Sequence, residues 1–313
     1  MGTSNSYDFS VTRNELILAA HQHIGAVGEG ETCTTAQNTE GAILLNMLTK
    51  ARAADGMPLW ALKRGYILPV TDASSVSTSG QIVSSYVQTT TSAAAASAAT
   101  TIVVTSATGI SDTYPIGVEQ DDGTMLWTTV SGAPSGSTVT LATALTDDVA
   151  ATNKVYVYQT TNRVPRILRI TGADVLTVSD NTSFPIDHQM AREDYFSLGD
   201  RTSASVPNQM YLDRGLTSQS VFVYPRFLGG DQIIEFTYQA PFQDFDASSD
   251  TPDFPQEFYL ALMVELASLL GPKNGVPLEE RKSLIAEANM YFEKALTSSY
   301  PEGSLFMQPN RDM

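Results

Sequence analysis

His21 and His23, the single cysteine Cys33 and the four aspartates of "DFDASSDTPD" are the side chains of this 313-residue chain best suited to chemistry. Two residues apart on a helix, His21 and His23 point to different sides. The third histidine, His188, is remote in sequence. A zinc site needs three or four converging ligands, so no histidine-based metal site and no cofactor is expected. Asp244, Asp246, Asp250 and Asp253 invite a calcium reading, but an EF-hand loop requires Gly at its sixth position and Glu at its twelfth. Counting from Asp244 those positions are Ser249 and Pro255. The acidic run reads instead as the approach to a helix N-terminus, where negative charge suits the dipole. Cys33 cannot form an internal bridge and reads as a small inert hydrophobe.

The stretch "IGAVGEGET" has the glycines of a nucleotide loop, Gly25, Gly28 and Gly30. A phosphate loop needs a strand before it, a helix after it and usually a Lys-Ser or Lys-Thr pair. Here a helical pattern precedes, no lysine follows, and Glu29 and Glu31 would repel an anion. The glycines are expected to cap one helix and turn the chain into the next. No serine-nucleophile elbow or Cys-His arrangement stands out, and paired carboxylates of a glycosidase cannot be located by spacing alone. Arg163, Arg166 and Arg169 fall on both faces of an extended segment, suited to surface pairing or a partner contact. No catalytic residue is expected, and the chain reads as a non-enzyme. A carbohydrate-binding or carbohydrate-cleaving role for the β region is the alternative.

The composition sets the class. Hydrophobic residues make up 42%, charged residues 17%, and the formal charge is -16 from 34 acidic and 18 basic residues. Such a surface repels phosphate backbones, which excludes a protein that grips nucleic acid along its length. No basic region followed by an apolar run suggests a secretory signal, and no apolar run approaches the roughly 20 residues of a membrane span. No membrane partner is expected.

Periodicity places helices at both ends and strands between. Thr12 and Glu15 have capping-box spacing, followed by Leu16, Ala20 and Ile24 at helical intervals. Ile43, Leu44, Met47, Leu48 and Ala51 mark a second helix, closed by Gly56, with Trp60 as an apolar anchor beyond it. Residues 1–70 are thus expected to hold one helical pair. Residues 71–160 read as a Ser/Thr-rich linker followed by a small inserted β-sandwich or barrel, with Asp122-Gly123 as a hairpin turn and Val103, Val130, Val139, Leu141, Val155 and Val157 as core. A second β region is expected over 161–245. A second helical pair is expected over 246–299, opened by Asp253 as cap, with Leu260, Val264, Ala267 and Leu270 on one helix. Leu278, Ile285, Ala288, Phe292 and Ala295 mark the other. An extended tail fills 300–313. The fold class expected is α+β, a helical bundle of the two terminal pairs with a β-rich middle. Its anchors are Leu16, Ile24, Leu44, Leu48, Trp60, Leu260, Val264, Ile285 and Phe292.

Two long stretches carry a resemblance. "LILAAHQHIGAVGEGETCTTAQNTEGAILLNMLTKARAADGMPLW" is similar to the N-terminal helical pair of the head-to-tail adaptors of short-tailed phages, the tubular tail protein A or head-completion adaptor family. The matching landmarks are Ile24-Gly25, the acidic turn Gly28 to Glu31, Asp55-Gly56, Leu59 and Trp60. "AREDYFSLGDRTSASVPNQMYLDRG", "VFVYPRF" and "IIEFTYQAPFQDFDASSDTPDFPQEFYLALMVELASLL" resemble the later part of that family. The likeness covers roughly 12–70 and 160–300, leaving 72–160 as an insertion. It implies a virion protein at the head-tail junction, made in the host cytoplasm. Its copies, twelve in the family's pattern, would form a ring below the portal protein and above a tail nozzle or tubular protein. DNA would pass through the ring without specific binding. The likeness assigns no role to the insertion; as a separate expectation, the β modules form a docking platform for fibres or spikes. With that role, Tyr300, Leu305, Phe306, Met307 and Pro309 in the apolar tail are the expected portal contacts.

Overall fold

The computed structural model describes residues 6–54, 61–215 and 218–299, the last two without side chains. The chain divides into two compact units, one from Met1–Ala61 with Pro241–Met313 and the other Leu62–Ala240.

In the first unit, α1 (Arg13–His23) opens with a complete capping box: Glu15 N–H donates to Thr12 Oγ1 at 3.3 Å, and Thr12 N–H to Glu15 Oε2 at 2.9 Å. It stops at Ile24, and Gly25 and Gly30 take the left-handed φ values of +68° and +79° that turn the chain toward α2 (Thr35–Ala54). Thr34 and Gln37 exchange hydrogen bonds in a second box at the start of α2. Helices over Tyr259–Leu270 and Leu278–Ser299 complete the unit. Each has its buried stripe: Ala261, Leu262, Val264 and Ala267 in the first, Leu284, Ala288 and Ala295 in the second. The approach segment 242–250 is strapped down by side chains of the first two helices. Arg13 donates to the carbonyls of Phe245 and Asp246, Asn46 exchanges two hydrogen bonds with Phe245, and Lys50 reaches Phe242 O and Asp244.

The second unit begins with β1 (Leu62–Ile67), β2 (Ser75–Ser77), β3 (Ile82–Val83), β4 (Val87–Thr90), β5 (Thr101–Val103), β6 (Pro115–Glu119), β7 (Met125–Thr129), β8 (Thr138–Thr140) and β9 (Lys154–Val157). It continues through β10 (Arg169–Thr177), β11 (Thr182–Pro185), α3 (Arg192–Ser197), β12 (Gln209–Asp213), β13 (Ser220–Tyr224) and β14 (Gln232–Gln239); α4 (Tyr259–Leu270) and α5 (Leu278–Ser299) belong to the first unit. Four antiparallel sheets run in the orders β11-β10-β14-β1-β3, β12-β13-β2, β4-β9-β6-β7 and β5-β8. Alternating residues of the first two sheets meet in a core of Ile67, Val76, Val175, Met210, Val221 and Phe236. The module between β4 and β9 closes over its own core, with Ile102, Val104, Ile116, Val139 and Val155. A third cluster, Leu68, Val83, Met125, Tyr156, Tyr158 and Ile233, fixes that module to the five-stranded sheet. Tyr156 Oη donates to Gly230 O at 2.5 Å, and Trp127 Nε1 to Pro69 O at 2.8 Å.

These facts correct the expected architecture. The described chain is predominantly β, with fourteen strands in four sheets against five α-helices, and its fold is not based on a helical bundle of the termini. Of the expected stripes of the last two helices, Val264, Ala267, Leu270, Ala288 and Ala295 are buried, whereas the anchors Leu260 and Ile285 are 47% and 49% exposed. On α5 the buried positions begin at Leu284, one residue before the expected Ile285. The stretch expected as a linker contributes β2, β3 and β4 to three different sheets. Within "TIVVT" the buried residues are Ile102 and Val104, leaving the expected Val103 only partly buried, a one-residue slip that reverses the face. Asp253 does not cap: α4 is preceded by a short 3-10 turn, and its N-cap Phe258 has no side-chain hydrogen bond.

Candidate interaction surface

The expected chemical residues do not converge. Among the described residues no group of three His, Cys, Asp or Glu side chains is placed to hold a metal ion. His21 is buried on α1 and His23 is exposed. The aspartates of the acidic run have separate tasks: Asp244 pairs with Lys50 at 2.7 Å, and Asp250 Oδ2 accepts from Ala247 N–H at 2.6 Å. Burial raises the Cys33 thiol above its usual value, which suppresses thiolate. Arg163 stacks 5.7 Å from the Tyr158 ring, while Arg166 and Arg169 face solvent.

Of the expected anchors, Leu16, Leu48 and Val264 are buried, whereas Ile24, Leu44 and Phe292 are partly buried. Phe292 sits edge-on to Phe258 at 5.3 Å. Trp60 lies outside the described residues, as do the expected portal contacts Tyr300, Leu305, Phe306, Met307 and Pro309.

The feature that spacing alone did not reveal is an apolar groove along α2. Ala36, Thr39, Ile43, Leu44 and Met47 line it, at intervals that keep one face of the helix. Ile43 is 52% and Met47 63% exposed. One end is closed by Glu40 and Lys273, whose charged groups lie 2.6 Å apart. Ile43 and Met47 belong to the expected apolar face of α2, but of that face only Leu48 is buried and Leu44 partly so; Gly41 and Leu45, outside it, turn inward instead. A helix that is apolar on two sides has more apolar stripe than its own unit covers. The same holds across the helical unit, where Tyr7, Phe9, Leu260, Leu269, Leu278, Ile285 and Met290 are also exposed. Among the described residues, nine of the thirteen exposed large hydrophobic side chains therefore lie in this unit and four in the β unit.

No protein-family model matches the chain. No curated protein matches its sequence.

Proposed function

We propose that the chain is a structural virion protein, a head-to-tail adaptor. Copies assemble as a ring below the portal, form part of the channel through which DNA passes, and connect to the tail. The observation that carries this reading is the α2 groove with its exposed Ile43 and Met47. Exposed apolar stripes of this kind mark surfaces that another protein covers. The order of the two stretches that resemble the adaptor family supports the assignment, and the charge of -16 suits a passage that must release DNA. Electron microscopy of the purified chain, alone and with its portal protein, tests it. Rings docked on the portal are expected, and removal of residues 300–313 should abolish docking while leaving the circular dichroism spectrum unchanged. Particles that remain single copies in both conditions would sink the proposal.

One observation favours a second reading. Tyr66, Ser84, Ser85, Tyr86 and Gln88 line an open polar cleft, with the Tyr66 and Tyr86 rings edge to face at 5.0 Å. Aromatic faces beside hydroxyl and amide groups suit a sugar. Binding on a glycan array that is lost in Tyr66→Ala would favour this role.

A further inference from the structure

A surface of different character lies in the β unit. α3 lays Tyr195 against Tyr211 of β12 and Phe222 of β13, ring centres 6.4 and 5.0 Å away. This leaves the neighbouring Phe196 at the surface, 43% exposed. Two guanidinium groups flank its ring, Arg192 at 5.6 Å and Arg201 at 5.4 Å from the centre. Neither forms an ion pair among the described residues. Arginine beside an ordered aromatic ring is the composition of an interface hot spot.

The inserted module has the opposite sign. Between residues 87 and 158 stand Asp112, Glu119, Asp121, Asp122, Asp147 and Asp148 against Lys154 alone. Four of them share two adjoining turns, tied by Asp121 N–H donating to Asp148 O at 2.9 Å. Their side chains accept only from neutral donors: Ala150 N–H and Asn153 Nδ2 on Asp121, Thr124 on Asp122, and Ser97 N–H on Asp148. No cation of the described chain pairs with these four.

We propose that the Arg192–Phe196–Arg201 surface of one copy docks on the acidic turns Asp121–Asp122 and Asp147–Asp148 of a second copy, a deepening that rests on the ring reading above. Charge complementarity selects this occupant. Both surfaces belong to one unit, yet they do not pair within a chain, so their pairing joins chains. Two different patches in contact make a heterologous interface, which generates a ring when its rotation closes and an open filament when it does not. A phosphate backbone suits the site less, because Glu193 and Asp213 stand beside the same aromatic cluster and the whole chain carries -16.

Sedimentation of the full chain, with portal added where assembly requires it, provides the test. Arg192→Glu/Arg201→Glu and Asp122→Lys/Asp147→Lys should each weaken self-association by roughly 10- to 100-fold. Mixing the two variants should restore contacts between unlike copies, a rescue that misfolding cannot imitate. Undiminished assembly of either variant, or a mixture that stays dissociated, overturns this interface while the ring reading stands. A wild-type chain that remains a single copy in every condition overturns both.

Discussion

The guanidinium of Arg52 on α2 grips the carboxylate of Glu265 on α4 through two hydrogen bonds, Nε to Oε2 at 2.9 Å and Nη2 to Oε1 at 2.8 Å. Both side chains are largely buried, and the same guanidinium lies 4.4 Å from the centre of the Phe292 ring on α5. One planar cation thus joins three helices. Removing it leaves a carboxylate with little water to replace the fork. Arg52→Ala is expected to cost about 2–3 kcal/mol in urea denaturation. Arg52→Lys should recover little, because an ammonium is a point charge without the fork.

Gly41 marks where α1 meets α2. A methyl group there would stand 2.6 Å from Cγ2 of the buried Ile17. Gly to Ala inside a helix gains about 1 kcal/mol of propensity, whereas overpacking costs about 1–3 kcal/mol. Gly41→Ala is therefore expected to be neutral or destabilising. In an Ile17→Ala background the obstacle is gone, and the same change should stabilise by about 1 kcal/mol. A double-mutant cycle by chemical denaturation measures the inversion; simple additivity would show that the two residues do not compete for space.

The legible parts of the sequence were those governed by local rules. Thr12 and Glu15 announce α1, Gly25 turns the chain after it, and Asp122-Gly123 sits in the hairpin between β6 and β7, with Gly123 at φ +84°. Partners distant in sequence were not legible. The Ser/Thr-rich stretch reads as a linker because its strands are two to four residues long, and their pairing comes from elsewhere: Val76 with Val221, Ile82 with Ile67, Thr89 with Val155. The helix stripes were legible at Leu16, Ala20, Val264, Ala267, Leu270 and Ala288, but not at every position, since Leu284 and Ile285 are equally apolar and only the packing buries the first and exposes the second. The α2 groove was hidden for the same reason. Nothing in Ile43 or Met47 says which apolar side of the helix its own unit leaves uncovered.

His21 supplies a pH dependence. It is buried on α1. Burial holds its pKa below the ordinary 6.5, against opposing pulls from the Glu40 carboxylate and the Gln37 backbone. The folded chain then binds fewer protons than the unfolded one as pH falls below that value. The stability is present above about pH 6.5, declines as pH falls toward the depressed folded value, and levels off below it. His21→Leu keeps an apolar side chain of similar size and removes the proton. Urea midpoints measured between about pH 7 and pH 5 should show a smaller decline in the variant than in the wild type. Equal slopes would mean that the imidazole does not titrate in this range.

Ile43 and Met47 separate stability from assembly. Ile43 and Met47 are 52% and 63% exposed on α2, so Ile43→Glu/Met47→Glu removes little internal packing. Its denaturation midpoint should lie within about 0.5 kcal/mol of the wild type, as for other exposed substitutions. In a covered interface the same two carboxylates would be buried without partners, which costs several kcal/mol. Pull-down on portal protein and sedimentation of the chain should therefore both report loss of assembly from a folded variant. Unchanged assembly would show that the α2 groove stays open to solvent in the particle, and the surface responsible would have to be sought among Leu278, Ile285 and Met290 on α5 instead.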